Sequence, residues 1–373
     1  MRVLMTGGGT GGHVNPAIAI ANTIKLNDPT AEIAFVGTSR GIENKLVPAA
    51  GYPLYHVEVR GFRRSLSPAN IKAAWLAFVS PIRAKKLIAE FKPDIVVGTG
   101  GYACWPVLVA AARMGIPTAV HESNAIPGVT VRRLQSYVDR VMLNFAESAE
   151  HLDAKEKLMV VGNPLRGEFG TMSRADAREK LGVGGYRRMI LSCGGSMGAE
   201  PVNDAMLALM RDYGMSHPDV LHVHATGALE YEAAKAKFAE YGLEGKDNLR
   251  LVEYIYDMPL QMAAADLVVN RAGAMTLSEL AVQGKACLLI PSPYVTANHQ
   301  YKNAKVLADA GAALLIEEKE LTAERVAREV SALLDDDARR AGMEKAITAF
   351  ARTDANKVIY EEICRLIKAK QKK

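Results

Sequence analysis

Short apolar runs alternate with longer amphipathic stretches along this chain. Such runs are typical of buried parallel strands, and the amphipathic stretches between them predict helices. In the first half, the predicted strands are residues 2–6, 32–37, 94–97, 117–121, 140–143 and 158–161. Strands that alternate with helices predict βαβ units and a parallel sheet.

The alternation pauses at GNPLRGEF and then starts again. The second series of predicted strands comprises residues 188–193, 219–224, 249–252, 266–270, 286–290 and 313–316, and helical patterns follow from about residue 321. We therefore predict an α/β protein with two doubly wound Rossmann-like domains that face each other across a ligand-binding cleft. The predicted parts are residues 1–163, residues 164–340, and C-terminal helices at 341–373 that pack back toward the N-terminal domain.

Composition narrows the class of protein. With 373 residues, 49% of them hydrophobic, the chain is long enough for two globular domains. The net charge of +5 is too small to indicate a nucleic-acid partner. Its four cysteines form no C-x-x-C pair, which argues against a zinc site or a disulfide framework. Because no signal peptide or membrane-spanning apolar run is visible, we expect a cytoplasmic protein.

Each predicted domain opens with a glycine-rich loop between a strand and a helix: TGGGTGGH at 6–13 and GGSMGA at 194–199. Gly7, Gly9 and Gly12 match the G-x-G-x-x-G pattern, in which backbone N–H groups approach a diphosphate. A dinucleotide fold also needs an acidic residue at the end of the second strand, but that strand ends FVGTSRG. This absence favours a nucleotide-sugar enzyme over a nicotinamide dehydrogenase.

Polar side chains follow several predicted strands of the first domain. His13 closes the first loop at a helix start, where packing poorly explains a titratable group. His121, Glu122 and Asn124 follow another strand, and we interpret them as a ligand-facing cluster rather than as a turn with a buried histidine. Tyr102 in GTGGYACWP can face the same site, although a glycine turn at a helix start explains that segment equally well.

The second domain has its own candidate binding groups. The stretch NRAGAMTLSEL places the N–H groups of Ala274 to Thr276 at a helix start, which suits a diphosphate or a sugar hydroxyl. Glu279 can bind a ribose diol, and the alternative is a surface glutamate stabilised by the helix dipole. Gln300 and Asn303 offer amides to a hydroxyl-rich ligand, although amides also cap helices.

These motifs resemble the bacterial MurG family and stand in its order over essentially the whole chain: GGTGGH (8–13), HESNA (121–125), GNPLR (162–166), GGSMGA (194–199), AGAMTLSEL (272–280) and HQYKNA (299–304). The resemblance implies a GT-B fold and an inverting transferase. Such an enzyme moves N-acetylglucosamine from UDP-GlcNAc to undecaprenyl-pyrophosphoryl-MurNAc-pentapeptide, converting lipid I to lipid II in peptidoglycan synthesis. A UDP-sugar epimerase and a noncatalytic nucleotide-sugar-binding module are the alternatives.

The resemblance also implies site residues. The donor contacts it implies are Thr10, Gly11, Gly12, Asn124, Arg166, Ser196, Ile255, Ala274, Met275, Thr276, Leu277, Ser278, Glu279 and Gln300. Tyr102 and Asn303 are added as substrate-binding candidates on the residue pattern alone. We expect His13 to be the general base, with Glu122 as the alternative. No metal site is expected in the protein, although a divalent cation can accompany UDP.

A basic segment, residues 60–86, carries no acidic residue. Helical spacing places Ile71, Trp75 and Phe78 on one stripe, which suits a core-facing helix and a membrane-facing helix equally well. The charge favours peripheral attachment to an anionic membrane at the cytoplasmic face of the inner membrane. The candidate lipid contacts are Arg63, Arg64, Lys72, Arg83, Lys85 and Lys86. Cell-wall synthesis and division proteins are further candidate partners.

Overall fold

The computed structural model describes residues 1–59, 69–165, 169–195 and 197–371, and for residues 69–79 and residue 296 only the backbone. The chain divides into two compact units. The first unit comprises Met1–Leu165 and Asp354–Lys373, and the second comprises Arg166–Thr353. Each unit is built on a parallel sheet of its own.

The first unit contains a seven-stranded sheet. Its strands are β1 (Arg2–Thr6), β2 (Glu32–Gly37), β3 (Leu54–His56), β4 (Ile95–Gly98), β5 (Thr118–Glu122), β6 (Arg140–Leu143) and β7 (Leu158–Val160). The order is β3-β2-β1-β4-β5-β6-β7 with every pair parallel, so the order reverses between β1 and β4. Strand β3 was missed because it is a short edge strand with two of its three residues exposed.

The second unit contains a six-stranded sheet. Its strands are β8 (Arg188–Cys193), β9 (Val220–Ala225), β10 (Leu249–Val252), β11 (Leu267–Asn270), β12 (Ala286–Leu289) and β13 (Leu314–Leu315). The order β10-β9-β8-β11-β12-β13 repeats that of the first unit, again with parallel pairs and a reversal beside the first strand. The prediction of two doubly wound α/β domains is confirmed.

Helices connect the strands in both units. They are α1 (Gly11–Asn27), α2 (Glu43–Ala49), α3 (Ala69–Phe91), α4 (Cys104–Arg113), α5 (Val129–Leu134), α6 (Arg174–Lys180), α7 (Glu200–Asp212), α8 (Tyr231–Glu240), α9 (Met258–Ala264), α10 (Ala274–Gln283), α11 (His299–Asp309), α12 (Ala323–Asp335), α13 (Asp337–Thr348) and α14 (Ala355–Gln371). Over the described residues, none of these helices combines the length and apolar character needed to cross a membrane.

The last helix completes the core of the first unit. Helix α14 buries Ile359 and Ile363 beside Val3 and Met5 of β1, on one face of the sheet. Helix α13 instead packs Met343 into the core of the second unit. The sequence-based boundary at 340/341 therefore cuts through α13, whereas the chain returns to the first unit at Asp354.

Candidate functional site

The two glycine loops of the first unit, which follow β1 and β4, lie in close contact. Gly7 lies against Thr99, whose hydroxyl donates to the carbonyl of His13 at 2.6 Å. Gly101 has φ +85°, and a Cβ there would overlap the carbonyl oxygen of Gly8. The loops after β1 and β4 thus approach closely only because these positions carry no side chain.

His13 is held by the loop that it closes. Its Nδ1 lies 3.2 Å from the carbonyl oxygen of Gly8 and 3.3 Å from the hydroxyl of Thr10. Because a carbonyl can only accept, Nδ1 carries a proton, so the neutral form of the ring has its lone pair on Nε2. Within the described residues Nε2 has no hydrogen-bond partner. The half-buried imidazole is therefore oriented as a proton acceptor.

A buried carboxylate lies behind the same loop. Glu43 is fully buried, and its Oε2 accepts the N–H of Gly9 at 2.8 Å. Its Oε1 accepts both the N–H and the hydroxyl of Thr38, each at 2.8 Å. Burial raises the pKa of Glu43, but these hydrogen bonds outweigh it and leave the pKa below its ordinary value. Three glycines leave room for the side chain: Gly8, Gly37 and Gly41.

Sequence reasoning missed Glu43. A dinucleotide fold has its acidic residue at the end of the second strand, whereas Glu43 is the first residue of α2, just beyond that position. Its carboxylate turns inward to hold Gly9 instead of facing a ligand. Gly7, Gly9 and Gly12 have the spacing of the dinucleotide pattern. The N–H of Gly9, however, already donates to Glu43 and is not available to a diphosphate.

Glu122 ends β5 and is almost fully buried. Its Oε1 accepts the backbone N–H and the side-chain amide of Asn124, each at 2.9 Å, and its Oε2 accepts the N–H of Gly128 at 2.8 Å. Burial raises the pKa of Glu122, although these hydrogen bonds and the charge of nearby His13 act to lower it. The first unit thus brings the two candidate bases together.

The interpretation of His121 as ligand-facing is wrong. Its ring is fully buried, and Nε2 lies 2.9 Å from the carbonyl oxygen of Gly162. Burial lowers the pKa of His121 to about 4, so the ring is neutral and donates to that carbonyl. His121 therefore links β5 to the segment after β7 inside the unit. Tyr102, in contrast, is exposed beside Gly101.

The glycine loop of the second unit is held in a similar way. It joins β8 to α7, and a Cβ on Gly198 would lie 2.5 Å from the carbonyl oxygen of Thr226. Gly227 has φ +83°, and a Cβ there would overlap the N–H of Gly198. The turn after β9 therefore supports the second glycine loop at Gly198. Two predicted donor contacts, Arg166 and Ser196, lie outside the described residues.

Helix α10 begins directly after β11. Its N-cap, Gly273, provides no side-chain cap to the first N–H groups. Burial raises the pKa of the Cys193 thiol, at the end of β8, to about 11, and the negative charge of Glu279 adds to this effect. Glu279, which is half-buried on α10, therefore lies close to Cys193. The start of the glycine loop, α10 and Glu279 thus lie together. Leu277 is buried, so only its backbone can reach a ligand there.

The remaining predicted donor contacts differ in how far they are buried and in whether they already have a hydrogen-bond partner. Gln300 uses its Oε1 to accept the N–H of Ser292 at 2.8 Å, which leaves its NH2 group for a ligand. Ile255 and Asn303 are buried. Met275, Thr276 and Ser278 are half-buried along α10.

Comparison with known protein families assigns the two units to the two domains of one family. Residues 3–143 match the glycosyltransferase family 28 N-terminal domain, and residues 189–359 match the glycosyltransferase family 28 C-terminal domain. The chain belongs to glycosyltransferase family 28. The first match of this family 28 protein extends from β1 to β6 and the second from β8 to β13, and together they include both glycine loops and α10.

Similar proteins of known name support a narrower assignment within family 28. A UDP-N-acetylglucosamine–N-acetylmuramyl-(pentapeptide) pyrophosphoryl-undecaprenol N-acetylglucosamine transferase of Acetivibrio thermocellus is 43% identical over 99% of both chains. Its namesake in Alkaliphilus metalliredigens is 40% identical over 99% of this chain and 100% of its own. The Acinetobacter baumannii MurG structure superposes with a TM-score of 0.78 at 28% identity, covering 98% of this chain and 99% of that chain. The resemblance to the MurG family is confirmed.

The buried carboxylate behind the first loop can be tested directly. We expect Glu43→Gln to lower the free energy of unfolding by about 1–3 kcal/mol at pH 7, because the amide NH2 of glutamine would face one of the donors that Glu43 accepts. The pKa of Glu43 lies below the value of 4.5 expected in the unfolded chain. Its contribution is therefore complete above pH 4.5 and is lost as pH falls through the folded-state pKa.

Urea unfolding at pH 7 and pH 3 measures both effects. The deficit of Glu43→Gln relative to wild type should shrink at pH 3. The matched control is Glu32→Gln, at a largely exposed side chain in the same unit, which should change the free energy of unfolding by less than about 0.5 kcal/mol. Equal stability of Glu43→Gln and wild type at pH 7 would contradict the role of this carboxylate.

Proposed function

We propose that this chain transfers N-acetylglucosamine from UDP-GlcNAc to undecaprenyl-pyrophosphoryl-N-acetylmuramyl-pentapeptide, the step from lipid I to lipid II in peptidoglycan synthesis. The observation that carries this proposal is full-length similarity to transferases that bear this activity in their names, at 43% and 40% identity. UDP-GlcNAc and the lipid-linked acceptor are its substrates.

The reaction is a single displacement. The C4 hydroxyl of the N-acetylmuramyl residue attacks the anomeric carbon, the bond from that carbon to the UDP oxygen breaks, and UDP leaves. Attack from the opposite face converts the α-linked donor into a β-1,4-linked product. A sugar hydroxyl is a weak nucleophile, so a base that accepts its proton lowers the barrier.

We assign the base to His13. Its Nδ1 faces the carbonyl of Gly8, which leaves Nε2 to accept the proton of the attacking hydroxyl. The imidazolium formed in this step is stabilised by the carboxylate of Glu122, which lies close enough to His13 for their charges to interact. Glu122 also has its two oxygens occupied by Asn124 and Gly128, which favours a supporting role over that of base.

We assign the donor to the second unit. The leaving diphosphate gains negative charge as the bond breaks, and preorganised N–H groups stabilise that charge. The loop at 194–199 and the start of α10 supply such groups, with Arg166 and Ser196 as predicted partners. Glu279 is proposed to accept hydrogen bonds from the ribose diol, and the backbone of Ile255 to meet uracil. The expectation that the protein has no metal site of its own and the remaining donor contacts stay predictions.

Acceptor dependence tests the function. With UDP-GlcNAc alone we expect neither release of UDP nor a change in the sugar, and with a lipid I analogue we expect one UDP for each disaccharide formed. Coupled detection of UDP together with analysis of the sugar product measures both. An altered sugar without acceptor would identify an epimerase, and binding without any turnover would identify a noncatalytic module.

His13 can be tested by its effect on turnover. His13→Ala should lower kcat by about 10²–10⁴-fold, the usual contribution of a general base, while the affinity for UDP-GlcNAc measured by calorimetry stays unchanged. The control is His56→Ala, which removes an exposed histidine of the same unit. Near-normal turnover of His13→Ala at saturating acceptor would move the role to Glu122.

Peripheral membrane attachment is proposed for the first unit. The acceptor named for the relatives is an undecaprenol derivative, whose long hydrocarbon chain remains in a bilayer. In α3, Ile82, Arg83, Lys85 and Lys86 are exposed. This face therefore presents one apolar and three basic side chains to solvent.

Acidic neighbours weaken the charge argument made from the sequence. Arg83 lies 3.6 Å from Glu58, and Lys86 lies 3.9 Å from Glu90. These acids lie close to the two ends of the basic segment. Of the sequence-based candidates, Arg63 and Arg64 lie outside the described residues. The side chains of Ile71, Lys72, Trp75 and Phe78 also lie outside them.

Vesicle co-sedimentation tests the attachment. Binding should require anionic lipid and fall with added salt, because each Lys or Arg near an anionic surface contributes about 1 kcal/mol. Changing Arg83, Lys85 and Lys86 together to Glu should abolish most binding. The matched control makes the same charge change at exposed positions of the second unit, Lys235, Lys246 and Arg250. Equal binding to neutral vesicles, or equal loss in both triple variants, would contradict attachment through α3.

A further inference from the structure

A chain of polar side chains crosses the interior of the second unit. His222 and His224 are two residues apart on β9 and therefore face the same side of the sheet. Ser192 of β8 is the register partner of His224, and Asn203 lies in the first turns of α7. All four side chains are buried, with at most 3% of any of them exposed. Buried polar groups in such a place need partners.

The carbonyl of Thr226 determines the orientation at one end of this chain. A carbonyl oxygen can only accept, so the group of Asn203 that lies 3.1 Å from it is the NH2 group. The Oδ1 of Asn203 then faces Nε2 of His224 at 3.1 Å. Because that oxygen is also only an acceptor, Nε2 of His224 must carry a proton.

The direction continues through the serine. Burial lowers the pKa of His224 to about 4, so at neutral pH its ring holds one proton, on Nε2, and Nδ1 is an acceptor. The hydroxyl of Ser192 donates to that Nδ1 at 2.8 Å. The oxygen of Ser192 therefore accepts from Nε2 of His222 at 2.7 Å. Burial also keeps the pKa of His222 well below its ordinary value.

The four hydrogen bonds thus run in one direction, from His222 through Ser192, His224 and Asn203 to the carbonyl of Thr226. Their end point is the turn that supports the second glycine loop. The same carbonyl lies where a Cβ on Gly198 would be 2.5 Å away. The chain therefore connects two strands, the start of α7 and the turn against which Gly198 is packed.

We propose that Ser192, His222, His224 and Asn203 are positioning residues that hold Gly198, in the second glycine loop, in place for the binding of the donor's diphosphate. This role rests on the proposed assignment of the donor to the second unit. None of the four side chains needs to touch the substrate, because their effect passes through Thr226 and α7. A break in the chain leaves buried donors or acceptors without partners and releases the turn.

Nitrogen-15 NMR of histidine-labelled protein at pH 7 tests the direction of the chain without any substrate. The signals are assigned by their loss in His222→Gln and His224→Gln. We expect both rings to be neutral and protonated at Nε2. A proton on Nδ1 of His224, or a charged ring at either position, would overturn the arrangement.

Donor binding tests the positioning role. Ser192→Ala should weaken UDP binding by about tenfold in calorimetry and raise the KM for UDP-GlcNAc, while the KM for acceptor stays within about twofold. The control is Ser216→Ala, at an exposed serine of the same unit. Unchanged UDP affinity of Ser192→Ala would contradict the positioning role alone, whereas no UDP binding by wild type would contradict the proposed function itself.

Discussion

Close contact between glycine backbones is the constraint on which both candidate sites depend. In the first unit, Gly101 approaches Gly8 so closely that a Cβ would overlap a carbonyl, and in the second unit Gly227 approaches Gly198 in the same manner. These contacts set the path of each loop at the carboxyl ends of the strands. The positions of His13 in one unit and of the predicted diphosphate site in the other depend on these glycine contacts. The glycines are therefore required by loop packing before any ligand is considered.

The two loops differ in what supports them, and the difference suits their proposed roles. Behind the first loop lies a charged carboxylate, Glu43, which occupies the N–H of Gly9 and disfavours a second anion there. Such a site suits a neutral hydroxyl and a histidine that becomes cationic. Behind the second loop lies the chain from His222 to Asn203, whose groups are neutral and add no negative charge on that side of the loop. Similar backbones thus present different electrostatic environments.

Sequence reasoning found the fold because strand formation leaves a local signal. Each predicted strand lies within about two residues of an observed strand. The one observed strand that was not predicted, β3, has no apolar run. The supports of the loops left no such signal. Glu43 acts on Gly9, and Ser192 meets His222 and His224, across separations in sequence that no short pattern spans. His121 was misread because a polar residue after an apolar strand looks the same whether its partner is a ligand or the buried carbonyl of Gly162.

The fold by itself does not determine the reaction. UDP-GlcNAc 2-epimerase from Neisseria meningitidis superposes on this chain with a TM-score of 0.65, over 98% of this chain and 100% of that chain. The two sequences are only 15% identical, so a similar backbone does not imply a similar reaction. What distinguishes a transferase must lie in the side chains on the loops. A transferase is aided by a base that accepts a proton from a separate acceptor hydroxyl, and the orientation of His13 by Gly8 suits the role of base proposed for it. The proposed chemistry therefore depends on one carbonyl–imidazole contact, and Glu43 and Gly101 hold the loop that contains Gly8.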